Sequence, residues 1–385
     1  MRTDSGAGLA EEPVPGSFFR RFDLFQIIPM FALLAIGALF VYGTGQQVGG
    51  IHATLIWKKQ LMYMGFGLVI WTTFLFIDYR WLIPGTLIIY PVSCILLVAV
   101  LKYGTLLFGA RRWLTLGGLS IQPSEFGKLA VIVTVSALLS RKNADINKLK
   151  WGALVAIITG IPFWLIHEEP DLGTALVLLP VTGAIAFAAH LKLRWILALL
   201  LMAAILAPVV YFYVFEPYQR ERIHTFLNPE RDPLTRNWNA IQANLAVGRG
   251  GLSGKGFMQG THCSLGYLPR TVANSDFIFP VIAEETGFLG ALTLLILYGV
   301  LLFSILRTAM IAPDPFGCYL CVGIATLLIT HIAVNIGMCI RLVPITGVPL
   351  PLLSSGGSFL VVMLTYLGIA QSVYAHRKTD SFLAF

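Results

Sequence analysis

Apolar runs of roughly 18 to 22 residues, the length an α-helix needs to cross a bilayer, recur along the chain with short polar breaks between them. Ten such runs fall at 24–43, 61–78, 82–100, 124–140, 152–168, 171–189, 196–215, 276–304, 316–339 and 357–375. The pattern predicts an all-α integral membrane protein of about ten transmembrane helices. No polar stretch exceeds roughly 60 residues, so one polytopic membrane domain is expected over 1–385. Tails flank it at 1–23 and 376–385, and one long loop, 216–275, separates spans seven and eight. The polar, Pro- and Gly-bearing start carries no signal-peptide pattern, so the first span is expected to stay in the mature protein.

Composition agrees: the 385 residues are 57% hydrophobic and 12% charged, with mean hydropathy +0.78. Charge adds orientation. With the N-terminus inside, Arg2, Arg20, Arg21, Arg80, Arg141, Lys142, Lys148, Lys150, Lys192, Arg194, Arg307, Arg377 and Lys378 are cytoplasmic. The short outer loops hold only Lys58, Lys59, Lys102, Arg111, Arg112 and Arg341. Lys and Arg favour the cytoplasmic side, so both termini are expected there, with the long loop outside. The net charge of +8 partly reflects this bias and does not indicate nucleic acid as a partner. Of the five cysteines only Cys263 lies outside a span, and no disulfide is expected. The C-x-x-C of Cys318 and Cys321 reads as small-residue packing in an apolar helix.

Several polar residues stand where hydrocarbon disfavours them. The eighth run opens with Asp276 and carries Glu284 and Glu285 about two turns in. A carboxylate there costs several kcal/mol unless it pairs, protonates or reaches water. Asn274, Ser275 and Asp276 are each suited to cap the helix, which leaves the glutamates unexplained. On one continuous helix Glu284 would lie about 80° round from Asp276 and roughly 12 Å deeper, so that both line a single cleft. In "QPSEFGKLA", Pro123 and Ser124 mark a helix start, and Glu125 and Lys128 share a face at i, i+3. They form either a packing ion pair or part of a polar cavity. Asp171 of "HEEPDLGTA" is either a cap or a site residue. "GRGGLSGKGF" fails as a phosphate loop: Arg249 stands where the first glycine belongs and Gly256 where Ser or Thr belongs. It is a turn-rich loop or a backbone surface for a ligand, with Lys255 as a point charge. The scattered histidines have no zinc spacing.

Together "GARRWLTLGGLSIQPSEFGKLA", "EPDLGTA", "YQRERIHTFLNPERDPLTRNWNAIQ", "AVGRGGLSGKGF", "DFIFPVIAEETG", "NIGM" and "ITGVPLPLLSSGGS" resemble, in serial order, the SEDS family of cell-wall polymerases that contains RodA and FtsW. "GKGFMQGT" and the short tail look more like the RodA branch; an FtsW-type division polymerase is the alternative within the family. The resemblance implies a peptidoglycan glycosyltransferase acting on lipid II in the inner membrane, during elongation and shape maintenance, with its active site on the outer face. It implies Asp276 as the essential acid, with Glu125, Lys128, Glu284 and Glu285 supporting a cavity. Arg112, Trp113, Asp171, Arg220, Arg222, Gln242, Lys255 and Ser354 are its candidate substrate contacts. His262, Thr286, Arg341 and Ser355 depart from the family pattern. The implied partners are lipid II, the nascent lipid-linked glycan, a class B penicillin-binding protein and membrane proteins of the elongation complex. A divalent cation, Mg or Mn, is the one cofactor considered, although no dedicated cage is visible. A lipid II flippase is the rival class, since intramembrane ionisable residues serve transport equally well; a wall scaffold would leave the buried acids unexplained.

Overall fold

The structure, a computed structural model, describes residues 22–48, 51–107, 110–116, 119–227, 237–268 and 272–377. A helix occupies each of the ten apolar runs. Before the long loop come α1 (Leu24–Val48), α2 (Ile51–Phe76), α3 (Leu82–Tyr103), α4 (Pro123–Leu139), α5 (Leu149–Glu168), α6 (Leu172–Ala188) and α7 (Leu193–Val209). The loop contains α8 (Pro217–Leu227), α9 (Trp238–Arg249) and the single turn α10 (Thr261–Ser264). Then follow α11 (Ile278–Met310), α12 (Pro315–Cys339) and α13 (Gly357–Ala375). By length and composition, α1, α3, α5, α11, α12 and α13 can each cross a membrane, and α6 and α7 are shorter apolar helices. The chain is a multi-pass membrane protein.

The connection between α3 and α4 is not a plain loop. β1 (Thr105–Leu107), β2 (Ala110–Leu116) and β3 (Leu119–Ile121) form a small antiparallel sheet in the order β1-β2-β3. Its short alternating strands are too brief to register against the flanking apolar runs.

Side chains sort by surroundings. α13 is buried along almost its whole length, whereas α7 buries no residue and continues into a π-helical turn at Val210–Val214. Large apolar side chains on α3, such as Leu87 and Ile88, face outward as membrane helices require.

Polar contacts mark one end of the bundle. Asp23, before α1, accepts from Ser304 Oγ at 2.6 Å and from Arg307 Nη2 at 2.7 Å near the end of α11. Asp314 caps α12 by accepting the Gly317 N–H at 2.9 Å, and also accepts from the Tyr79 hydroxyl and from Arg80 Nε at 3.0 Å. Burial opposes ionisation of Asp314, but these hydrogen bonds and the Arg80 charge hold its carboxyl below the usual range.

At the opposite end two segments fold back against the bundle. α11 breaks at Gly287, whose φ of 68° and ψ of −164° lie in a region only glycine occupies readily. The break exposes backbone groups that hydrocarbon cannot satisfy. The glycine-rich stretch satisfies them: Phe288 and Leu289 N–H donate to the carbonyls of Gly251 and Leu252 at 2.8 and 3.1 Å. Lys255 and Gly256 N–H donate in return to the carbonyls of Glu284 and Glu285 at 3.1 and 2.9 Å. The second segment, 341–356, is held by α11 and α12 side chains. Tyr298 donates to Pro351 O at 2.5 Å, and Asn335 Nδ2 to Val348 O at 2.8 Å. "GRGGLSGKGF" is thus a backbone patch on a broken helix.

A Cβ at Gly287 would strike the Gly254 nitrogen and the Leu252 carbonyl, whereas one at Gly183 on α6 meets nothing within 4 Å. Gly287→Ala should therefore destabilise by roughly 2–5 kcal/mol. Gly183→Ala should be neutral or stabilising by up to about 1 kcal/mol. Thermal unfolding of both in the same detergent checks this; equal melting temperatures would mean that the break at Gly287 is not held as described.

Candidate active site

Asp276 lies in the turn that leads into α11. The N-cap of the helix is Phe277, and no side chain caps it, so the capping role open to Asp276 in the sequence is not the one it takes. Its backbone setting is tightly fixed. Three consecutive carbonyls each accept a donor from another segment: Asn274 O from Ser355 N–H at 2.8 Å, Ser275 O from Ser354 Oγ at 2.6 Å, and Asp276 O from Asn335 Nδ2 at 3.0 Å. Ser354 Oγ also accepts the Leu350 N–H at 2.8 Å, so this buried residue positions the turn.

The Asp276 side chain lies among charges from three elements. Burial is the main effect and pushes its pKa up from 3.8 to about 7. Asp171 pushes the same way, while a hydrogen bond from Ser275 and the charges of Arg112 and Arg222 oppose. A Cβ at Gly347 would lie 3.5 Å from Asp276 Oδ2, so segment 341–356 passes directly beside the carboxyl.

Arg112, on β2, reaches across to the turn between α5 and α6. Nε donates to Glu169 O at 3.1 Å, an Nη donates to Pro170 O, and Nη1 stands 3.9 Å from Asp171 Oδ1. Asp171 also caps α6, accepting the Thr174 N–H at 3.3 Å. Neighbouring Trp113 is half-buried, and its carbonyl accepts the Thr105 hydroxyl at 3.1 Å. Arg222 Nη1 donates to Ile345 O at 3.2 Å, and Arg220 Nε to Phe215 O at 2.9 Å. Arg222 lines a cavity of about 620 Å³ between α8, α9 and the 338–345 stretch. Gln242 is buried on α9.

Glu125 and Lys128 pair at 2.8 Å, both buried, and Asp171 lies within electrostatic reach of Glu125. Lys128 Nζ also stands 3.0 Å from His331 Nε2, and His331 Nδ1 3.2 Å from Pro349 O. An ammonium can only donate and a carbonyl only accept, so the proton sits on Nδ1 and the imidazole is neutral. His331 stacks on Phe359, with ring centroids 5.3 Å apart.

Glu284 and Glu285 are not brought to Asp276. With Asp276 off the helix, the 80° relation does not apply, and both glutamates face the loop instead. Glu284 accepts from Lys255 Nζ at 2.5 Å, from Thr261 N–H and Oγ1 at 3.1 and 2.8 Å, and from His262 N–H at 3.1 Å, with His262 Nδ1 at 2.8 Å. Glu285 accepts the Met258 N–H at 2.8 Å. Lys255 is therefore engaged with Glu284, and the three residues hold the re-entrant loop.

The model of the cell cycle protein family that groups FtsW, RodA and SpoVE matches residues 23–379. The chain belongs to this family. It is 36% identical over 358 residues to the peptidoglycan glycosyltransferase MrdB of Escherichia coli K12, covering 92% of this chain and 94% of MrdB. It is also 36% identical over 367 residues to a probable peptidoglycan glycosyltransferase FtsW of Trichlorobacter lovleyi, covering 93% and 94%. Among solved structures it resembles a chain from work on coordinated polymerization and crosslinking by a peptidoglycan synthase complex, at TM-score 0.79 and 30% identity, over 93% and 99% of the chains. It resembles the rod shape determining protein RodA of Thermus thermophilus at TM-score 0.68 and 28% identity, over 93% and 98%. The family's multi-span helical fold is the one described above.

Within the family frame, three site residues escaped the sequence reading. His331 and Asn335 sit one turn apart on α12; polar residues at i, i+4 in an apolar span were the available signal. Glu169 is fully buried with both carboxyl oxygens unpartnered among the described residues. Burial, with Asp171 adding, pushes its pKa to about 9 against the opposing Arg112 charge, so it is a neutral acid at pH 7.

Removing one member of a buried pair leaves the other uncompensated. Lys128→Met should cost about 3–5 kcal/mol, and Glu125→Gln with Lys128→Met should recover most of that. Thermal unfolding reads the stability; a double variant as unstable as the single one would contradict an ion pair held by mutual neutralisation. Polymerisation by a well-folded double variant would assign the pair to packing, and its loss would assign it to the chemistry.

Proposed function

We propose that this chain is a peptidoglycan glycosyltransferase that polymerises lipid II into glycan strands, with Asp276 as general base. The observation that carries this is the Asp276 carboxyl itself: fixed through three backbone carbonyls, raised to about 7, and flanked by Arg112 and Arg222. A base whose pKa lies near the working pH combines a useful ionised fraction with useful basicity. Asp276 takes the proton of the 4-hydroxyl on the acceptor N-acetylglucosamine. The oxygen attacks the anomeric carbon of the donor N-acetylmuramic acid with inversion, and undecaprenyl pyrophosphate departs. Guanidinium groups at the site stabilise the charge developing on that leaving group.

Among the described residues no three His, Cys, Asp or Glu side chains are grouped to hold a metal, and Asp171 faces Arg112. An Mg or Mn ion here would draw most of its ligands from the substrate's diphosphate and from water, and no step is routed through one.

On the charge pattern, both termini are cytoplasmic and Asp276 faces outward. The end with Asp23, Arg307 and Asp314 is then the inner one. The chain contains no S-x-x-K, so cross-linking falls to a partner, a class B penicillin-binding protein within an elongation complex. Likeness to a chain of a peptidoglycan synthase complex supports such a partner. The RodA-like role in elongation rests on "GKGFMQGT" alone, because relatives named MrdB and FtsW are equally identical to this chain. A flippase needs a polar path through Glu125, Lys128, Glu284 and Glu285; the last two are engaged with the 255–262 loop, which leaves only the Glu125–Lys128 pair for such a path.

Asp276→Asn should slow lipid II polymerisation by purified protein and partner at least ~100-fold. In the wild type kcat/KM should rise with pH through a midpoint near 7 as the carboxylate forms, and the residual activity of the variant should lack this limb. Stability should run the other way. The folded state holds this proton more tightly than the unfolded chain, so the Asp276 contribution to stability falls as pH rises from about 4 to about 7 and then levels; because Glu169 titrates in both proteins, that fall is read from the difference in stability between wild type and the Asn variant. Equal polymerisation by wild type and Asp276→Asn would remove Asp276 as the base.

A further inference from the structure

The end of α12 carries a conformational oddity. The Leu342 N–H donates to Gly337 O at 2.7 Å and the Arg341 N–H to Met338 O at 3.4 Å, the paired closure of a Schellman motif. Arg341 holds its left-handed position with φ 61°. Glycine adopts that conformation without steric cost; a side chain with a Cβ does not. Strain of this kind persists where the surroundings impose it and clusters at ligand sites, so the next question is what the side chain does.

Arg341 lines the cavity of about 620 Å³ described above. Arg222 and Glu221 line it too, so the charged lining is two guanidinium groups against one carboxylate, a net of one positive charge. Val343, Pro344 and Ile345 supply an apolar wall. Among the described residues the Arg341 side chain makes no hydrogen bond or ion pair, while Arg222 is anchored on Ile345 O at 3.2 Å. The cavity is linked to Asp276 through its wall and through Arg222. The chain that forms its wall continues to Gly347 beside Asp276 Oδ2, and the Arg222 charge acts on Asp276. An oxyanion held at Arg341 would thus share its cavity with Arg222, whose charge reaches Asp276, with its apolar attachment against the wall.

We propose that Arg341 is a substrate-binding arm of this cavity and takes an oxyanion of the lipid-linked substrate, either its diphosphate or a stem-peptide carboxylate. A planar guanidinium recognises both through paired N–H donors. Identifying the ligand with lipid II rests on the glycosyltransferase function proposed above; the anion site itself does not.

Arg341→Gly separates binding from folding, because glycine relieves the backbone strain while removing the guanidinium. Its melting temperature should equal or exceed that of the wild type, and its KM for lipid II should rise about tenfold with most of the loss in KM. Arg341→Lys should fall between the two. Thermal shift then names the anion: farnesyl diphosphate or a muramyl pentapeptide should stabilise the wild type and lose most of that effect in Arg341→Gly. A response to the first assigns the diphosphate, and a response to the second, abolished by amidating the peptide, assigns the carboxylate. If neither probe distinguishes wild type from variant and KM is unchanged, the proposal is wrong. A wild type that fails to polymerise lipid II while still showing the Arg341-dependent shift would overturn the proposed function and leave the anion site standing.

Discussion

A backbone carbonyl removed from water costs free energy unless a donor reaches it, and next to a bilayer the donors must come from the protein. The turn from Asn274 to Asp276 meets this requirement three times in succession, with donors from Ser355, Ser354 and Asn335. The site's geometry depends on that arrangement. Because the backbone is held by groups other than its own carboxylate, the Asp276 side chain can change protonation without unfastening the turn. Segment 341–356 and α12 are needed for the same reason, as they are where those donors reside.

The glutamates of α11 follow the same logic at the neighbouring break. A helix interrupted at Gly287 has carbonyls and N–H groups to satisfy, and the loop that satisfies them must be fastened there. Glu284 and Glu285 do the fastening by accepting from Lys255, Thr261, His262 and Met258. Their charge is explained by architecture. The proposed base is only eight residues away, in an environment opposite in kind: many donors surround Glu284, whereas burial dominates at Asp276.

Much of this was legible in the chain because it is local or periodic. Apolar length located the helices of the bundle, the i, i+3 spacing gave the Glu125–Lys128 pair, and Asp171 after proline marked a helix start that the structure shows capped. Serial motifs identified the family. What escaped depends on contacts distant in sequence. The glycine-rich stretch meets α11 about 30 residues on, Arg112 reaches a turn more than 50 residues away, and His331 closes on Lys128 across about 200. No helical phase predicts such pairings. The phase relation expected between Asp276 and Glu284 failed for a related reason: the helix begins at Ile278, two residues too late for Asp276 to share it.

His331 and Asn335 project from one helix a single turn apart, the first set against the Lys128 ammonium and the second against the Asp276 carbonyl. Both the cation and the acid are thereby referred to the same rigid rod. When the bundle breathes in the membrane, a tilt or slide of α12 carries its two attachments together. Such motion is common-mode: the absolute position of the site wanders, while the offset between its positive and negative groups is conserved to within the stiffness of one helical turn.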